Sequence, residues 1–430
     1  MQEKQLRREI GVFGATMMGL GSIVGTGVFV SIGLGAQTTG AAVLLAIFLA
    51  SLVAICNGLS SAQLAANYPV SGGTYEYGYR WLTPNLGFVA GWMFLCAKSA
   101  SAATAALGFA GYLTTMLDLP VETWKIPLAT GVLVVVTVVV LMGISRANWA
   151  NIAIVTVTLA SLLTLVVAGL PSTVRGFEAN VLNVVRAEFS WARFLQATAL
   201  MFVAYTGYGR IATLGEEVRD PRHTIPKAVI VTLLASMLLY LLVAVTAVGT
   251  LGAEEFGAAT QQRMAPLEEV AEALSVPGVA MFLSIGAMTA MVGVLLNLLL
   301  GLSRVLLAMG RRQDMPTSLA AINSHGVPVV ATLVVTGIVA AFVLTGSVKT
   351  TWSFSAFTVL VYYALTNACA IRIAPADRLF PIWPAYVGLA ACLFLAFWVE
   401  PMIWSIGLGL IAIGLVLRWT FQRRTNDGAK

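Results

Sequence analysis

Charge is what this chain lacks. Only 10% of its 430 residues are charged, where a soluble protein of this length carries about a quarter. Histidine is almost absent: His223 and His325 are the only two, both lie between apolar runs, and both read as solvated side chains rather than ligands. No HExxH, no pair of intramembrane aspartates and no Ser–His arrangement is present, which leaves a membrane-embedded enzyme without chemistry to run. The four cysteines, Cys56, Cys96, Cys369 and Cys392, fall inside apolar runs and read as small buried hydrophobes, neither a disulfide framework nor a metal site. No motif calls for a cofactor. The N-terminal "MQEKQLRREIG" lacks the short apolar core and cleavage site of a signal peptide, so the first apolar run is expected to serve as the insertion signal. Nothing between the runs is long enough to bury a soluble core.

Hydrophobic residues fill the space: they make up 59% of the chain, with a mean hydropathy of +0.88. Runs of about 20 apolar residues, each long enough to cross a bilayer core of roughly 30 Å, recur from end to end. Spans are expected at 13–36, 41–66, 86–112, 127–145, 149–170, 193–213, 226–251, 277–309, 327–346, 352–372, 382–399 and 402–418. The fold class is therefore an all-α polytopic membrane protein with the lipid bilayer as its solvent.

The net charge of +6 concerns topology, not a nucleic-acid partner. With the N-terminus inside, 17 of the 25 Lys and Arg fall on the cytoplasmic side, Arg311, Arg312, Arg423 and Arg424 among them. Six (Lys125, Arg175, Arg186, Arg193, Arg263 and Lys349) fall outside, and Lys98 and Arg210 lie within spans. This asymmetry predicts a multi-pass protein of the cell membrane with both termini cytoplasmic. Between spans, "PRHTIPKAVI" (221–230) places Pro226 just before a helix, where a proline suits a helix start. Segments 171–192 and 252–275 are long enough for short interfacial helices, the second with amphipathic spacing.

Glycine sits where a membrane helix tolerates it least. "LGSIVGTGVF" (20–29) puts Gly21, Gly25 and Gly27 in the middle of the first span, and Gly207 and Gly209 interrupt the sixth. Gly21 to Gly25 is also a GxxxG helix-contact motif, so packing is the competing explanation for the first set. Interrupted helices at corresponding positions of two halves point instead to an inverted-repeat transporter with a midplane site. Broken backbone survives at that depth only where protein or a polar cavity satisfies it. A half-helix that begins at a break offers N–H groups to a carboxylate, and one that ends there offers carbonyls to an ammonium. Two such breaks suit a zwitterion, and the spans hold no mid-depth carboxylate to pair an amine instead.

"GLGSIVGTGVF" (19–29), "YPVSGGTYEYGYR" (68–80), "LGFVAGW" (86–92), "FVAYTGYGRIATLGEEVRDPRHTIPKAVI" (202–230) and "GLSRVLLAMGRRQDMP" (301–316) together resemble the amino acid–polyamine–organocation transporter superfamily, nearest to its cationic-amino-acid-transporter branch. The resemblance implies a LeuT-like fold: two inverted five-helix repeats plus two peripheral helices, 12 transmembrane helices in one domain. It divides the chain into 1–170, 193–372 and 382–418. It also implies that Ile23, Gly25, Thr26 and Gly27 hold a substrate carboxylate, and that carbonyls of Val203, Ala204 and Thr206 hold the amine. Tyr205, in the same turn, either lines the cavity or packs.

Two departures from the family pattern bear on coupling. Proton-coupled members carry a lysine in helix 5, where this chain has Thr158, and the hydroxyl pair of sodium-coupled relatives is replaced by Val292-Gly293. Lys98, by contrast, stands about 13 residues from either end of the third span, roughly 20 Å, beyond the reach of its stem. A charge there costs about 2.5–3.5 kcal/mol on insertion scales. It is either a structural, backbone-bonded lysine, a proton-coupling group in place of the missing one, or a partner for an anionic substrate group. Arg210 follows the second break and is placed to snorkel, to pair with Glu216 or Glu217, or to meet substrate. The expectation is a secondary active transporter of neutral or acidic amino acids working by alternating access, with the proton as candidate coupling ion. The alternatives are an amine, polyamine or cationic amino acid transporter, or an uncoupled facilitator or exchanger.

Overall fold

The computed structural model describes residues 10–70, 72–143, 148–182, 189–212, 218–323 and 326–427. Helices dominate these residues, and one parallel bridge pairs Ile10 with Val218. The first expected span is two helices, α1 (Val12–Ile23) and α2 (Ile32–Thr39), joined through a π turn at Gly27–Ser31. After it come α3 (Val43–Asn67), the short α4 (Thr74–Trp81), α5 (Pro84–Met116), α6 (Val121–Leu141) and α7 (Asn148–Phe177). The sixth span is also split, into α8 (Trp191–Tyr205) and α9 (Gly209–Ala212) with a 3₁₀ turn at Thr206–Tyr208 between them. The remainder is α10 (Pro221–Leu251), α11 (Ala253–Gln262), α12 (Pro266–Ala273), α13 (Val279–Arg311), α14 (Val329–Val343), α15 (Val348–Ile371), α16 (Trp383–Ala396) and α17 (Pro401–Asp427).

Eight helical stretches of the described residues are long and apolar enough to cross a membrane, the longest apolar stretch running from Val12 to Asn67, and α14 and α16 are shorter apolar helices. Large apolar side chains such as Val134, Val135, Leu163 and Val167 point outward from α6 and α7, as a lipid-facing surface requires. The protein is a multi-pass membrane protein.

Local chemistry moved several boundaries. α10 starts at Pro221 rather than Pro226: the first proline takes the opening position, where no N–H is needed, and the second lies within the helix. α6 likewise starts at Val121 and carries Pro127 inside. No separate helix opens at 171; α7 runs through Pro171 to Phe177 and ends in a π turn, Glu178–Leu182. The 252–275 segment forms two helices, not one. Thr83 caps α5 by accepting from the Leu86 N–H at 3.3 Å, with Pro84 next in line.

The centre of the bundle is α5, whose stretch Ala97–Gly108 is buried throughout. Its small residues let α13 and α15 approach closely, and hydroxyl pairs tie it to α15: Ser101 with Ser355 at 2.7 Å and Thr104 with Thr351 at 2.7 Å. At the end of the bundle where α1 begins, called proximal below, a buried ionic network holds three elements together. Arg418 of α17 donates to Asp314, after α13, at 2.8 Å, with side-chain exposures of 6% and 1%. Tyr75 of α4 donates to the other Asp314 oxygen at 2.7 Å, Tyr79 joins it, and Arg418 also reaches Asn85. Breaking a buried pair from one side strands a charge. Arg418→Ala is expected to cost about 3–5 kcal/mol, read as a lower unfolding midpoint of the detergent-solubilised protein; an unchanged midpoint would refute this role.

Candidate functional site

The two broken helices touch at their breaks. A Cβ on Gly207 would lie 2.3 Å from the Ser22 carbonyl oxygen and 2.6 Å from the Ile23 nitrogen, so only glycine lets the second break seat on the first. Past the first break, the Val28 and Phe29 N–H groups both return to the Gly25 carbonyl, at 3.0 and 3.1 Å. The widened π turn is held from outside by Tyr112, which donates to the Phe29 carbonyl at 2.9 Å, and from within by Ser31, which donates to that of Gly27.

One tyrosine serves both breaks. The Tyr240 hydroxyl on α10 lies 2.7 Å from the Ile23 carbonyl and 3.1 Å from that of Ala204. On the second break, Tyr363 of α15 donates to the Thr206 carbonyl at 3.1 Å, and the Thr206 hydroxyl donates to the Val203 carbonyl at 2.8 Å. Lys98 completes the set, its Nζ donating to the Thr206 hydroxyl oxygen at 2.8 Å. The Val203 carbonyl accepts both the Thr206 hydroxyl and the Thr206 N–H, so the turn is closed on itself.

Between the breaks lies a cavity of about 110 Å³. Ser22, Ile23, Thr26 and Gly27 line it from the first break, and Val203, Ala204, Thr206, Gly207, Gly209 and Arg210 from the second. The rest of the wall comes from Phe94, Lys98 and Ser101 of α5, Asn297, Gly301 and Arg304 of α13, and Trp352, Tyr362 and Tyr363 of α15. Trp352 roofs the far, distal end, where its indole N–H donates to the Leu200 carbonyl at 2.9 Å. Gly72, Gly73, Arg304 and Val305 extend the wall toward the proximal end, and Arg304 is exposed there. The mouth is proximal.

Of the residues singled out from sequence, Ile23, Thr26, Gly27, Lys98, Val203, Ala204, Thr206 and Arg210 line this one cavity. Three do not. Gly25 faces Val294, which a Cβ would meet at 2.5 Å. Tyr205 is fully buried, its ring 5.1 Å from that of Tyr240 and its hydroxyl 3.3 Å from the Ile47 carbonyl, so it packs. Thr158 returns its hydroxyl to the Ile154 carbonyl at 2.8 Å. Glu216 and Glu217 lie outside the described residues. Arg304, counted from sequence with the proximal charges, is a cavity residue, while Asn297 and the bracing hydroxyls of Tyr240 and Tyr363 had no sequence signal beyond their helices.

The cavity's polar character is lopsided. Lys98, Arg210 and Arg304 bring three cationic side chains, and among the described residues no Asp or Glu lines it. Lys98 is 7% exposed. The Thr26 hydroxyl is 97% buried by residue yet has no hydrogen-bond partner among the described residues, although it lines the cavity. Such a group awaits a ligand or water.

Two interrupted helices around a mid-depth cavity that opens to one face define a membrane solute transporter. The chain belongs to the amino acid permease family, whose model matches residues 14–428, and so to the amino acid–polyamine–organocation superfamily. It is 39% identical over 423 residues to an uncharacterized transporter of Mycobacterium tuberculosis, covering 96% of this chain and 90% of that one. A branched-chain amino acid permease of Bacillus subtilis is 29% identical over 349 residues, 77% of this chain and 73% of the relative. A human cationic amino acid transporter is 27% identical over 331 residues, 71% of this chain and 50% of the relative.

Replacing Tyr240 by Phe keeps the ring and removes the hydroxyl shared by the two breaks. The expected loss is about 1–3 kcal/mol, the cost of leaving a buried acceptor unpaired, measured by thermal unfolding. No loss would mean that the breaks do not need this brace.

Proposed function

We propose that the protein is a secondary active transporter of neutral or acidic α-amino acids, holding its substrate between the unwound parts of the two broken helices and working by alternating access. The observation that carries this reading is the Thr26 hydroxyl, buried, unpartnered and on the cavity wall beside Ile23 and Gly27. In this reading the carboxylate sits at the first break, where a restarting helix offers positive N–H groups, and the ammonium sits against the carbonyls of the second break, those of Val203, Ala204 and Thr206. Twelve spans arranged as two inverted repeats, 1–170 and 193–372, with 382–418 peripheral, fit the five-helix interval between the breaks. Both termini are then cytoplasmic in the cell membrane, and the structure corresponds to an inward-facing state.

Charge supports the substrate class. Lys98 and Arg304, with no described acid in the wall, oppose a cationic amino acid or polyamine, whatever the human relative's name says of that protein. The name of the Bacillus relative, which specifies branched-chain amino acids, agrees with neutral substrates.

Lys98 is the coupling group in this proposal. Its ammonium reaches the second break through Thr206, so a change of charge at Lys98 alters the hydrogen bonding of the very turn that holds the amine. Thr158, with its hydroxyl committed to its own helix, offers no titrating group.

Uptake of labelled α-amino acids into proteoliposomes, with and without an inward proton gradient, tests both parts. The gradient is expected to raise initial uptake, Lys98→Met to remove that gain, and Thr26→Phe to abolish uptake by filling the site. Uptake that ignores the gradient would make the protein a facilitator or exchanger, and full activity of Thr26→Phe would refute the site.

A further inference from the structure

The distal end of the bundle carries a buried acid that the transport site does not use. Glu268, in the first turn of α12, is 5% exposed, and its Oε2 has no hydrogen-bond partner among the described residues. α11 and α12 form a cap over the outer half of the first broken helix. A Cβ on Gly33 of α2 would lie 2.0 Å from the Thr260 hydroxyl and 3.2 Å from Pro266, and one on Gly257 would lie 2.8 Å from Gln37. This seating leaves no layer of water between cap and helix.

Few charges answer the carboxyl. On its own helix stand Glu269 and Glu272, and Arg263 precedes that helix in the α11–α12 turn. Arg263 is engaged elsewhere, 3.1 Å from Glu269 and 3.5 Å from Glu272. From α13 the Ser284 hydroxyl lies beside it, and from α5 the Tyr112 phenol. The π turn contributes Val28, Phe29 and Val30, and the distal end of α10 (241–251) carries no ionisable side chain. Burial pushes the carboxyl up to about 7, partly offset by Ser284 and Arg263 and reinforced by Glu272 and Glu269.

We propose that Glu268 is a proton-binding site on the distal gate, occupied while α12 is seated on the first broken helix and vacated when α12 lifts to admit substrate. The proposal rests on the alternating-access reading given above. Lifting returns the carboxyl to water and to the ordinary carboxylate range, so the seated form holds the proton more tightly. Acid therefore favours closure. Between pH 8 and pH 5 the closed-to-open ratio rises on the order of 10²-fold. Above about pH 7 the closed form loses this advantage.

The test is the reach of a membrane-impermeant thiol reagent from the distal side in proteoliposomes. The target is Val30→Cys, a fully buried residue of the π turn, in full-length protein whose four cysteines are replaced by alanine. Labelling is expected to rise at least tenfold from pH 5 to pH 8 beyond the intrinsic reactivity gain of a thiol. Glu268→Gln, a permanently protonated mimic, should stay poorly labelled throughout, while Glu268→Asp, which still titrates, keeps a rising profile. A profile unaltered by Glu268→Gln overturns the proposal, and so does loss of the profile in the Asp variant, which would assign the effect to packing. Amino acid uptake by the same vesicles reports separately: if it persists while the pH profile fails, the gate site is wrong and the transporter reading stands.

Discussion

Hydrocarbon supplies no hydrogen bonds, and the whole arrangement answers that constraint. Unwinding two helices at mid-depth exposes peptide groups that water cannot reach from lipid, so the bundle supplies donors from its own side chains. Tyr240 spans the carbonyls of Ile23 and Ala204, Tyr363 takes that of Thr206, and Tyr112 and Ser31 hold the π turn. The three tyrosines come from α10, α15 and α5, which is why the breaks depend on tertiary packing rather than on glycine alone. The glycines make room, Gly207 most of all; the tyrosines keep the shape.

Lys98 belongs to the same logic. A lysine deep in a membrane helix is costly unless it is bonded, and here it donates to Thr206, which passes a hydrogen bond to Val203. One chain of bonds thus joins the buried lysine to the cavity-facing turn. On our reading this is what lets a proton at Lys98 be felt by the amine site without a carboxylate in the cavity.

The two ends of the bundle are built differently. The proximal end is tied by a satisfied ionic network, Asp314 receiving Arg418, Tyr75 and Tyr79, and by the pairing of Ile10 with Val218. The distal end is covered by α11 and α12, held mostly by close packing around Gly33 and Gly257 and containing the buried acid Glu268. A lid of close packing over a buried carboxyl is the more easily biased of the two.

How much of this was legible beforehand follows from what each residue needs. The breaks were visible because glycine in a membrane helix is a local signal, and eight of the eleven residues singled out from sequence line the cavity. Those that do not are set by rotation about a helix axis: Gly25, Tyr205 and Thr158 sit within a turn of cavity residues or on a neighbouring helix yet face packing partners. Asn297, Arg304 and Trp352 lie on long apolar helices whose inward face no periodicity singled out. The bracing tyrosines were hidden for the same reason, since they are distant in sequence from the carbonyls they bind. The most direct measurement is the thermal stability of the solubilised protein against amino acids and their decarboxylated amines. A ligand at 100 times its Kd adds about 2.7 kcal/mol to stability, so binders declare themselves without knowledge of the coupling ion. Stabilisation by neutral or acidic α-amino acids and none by the amines is the result expected of a zwitterion held between the two breaks; stabilisation by amines alone would contradict it.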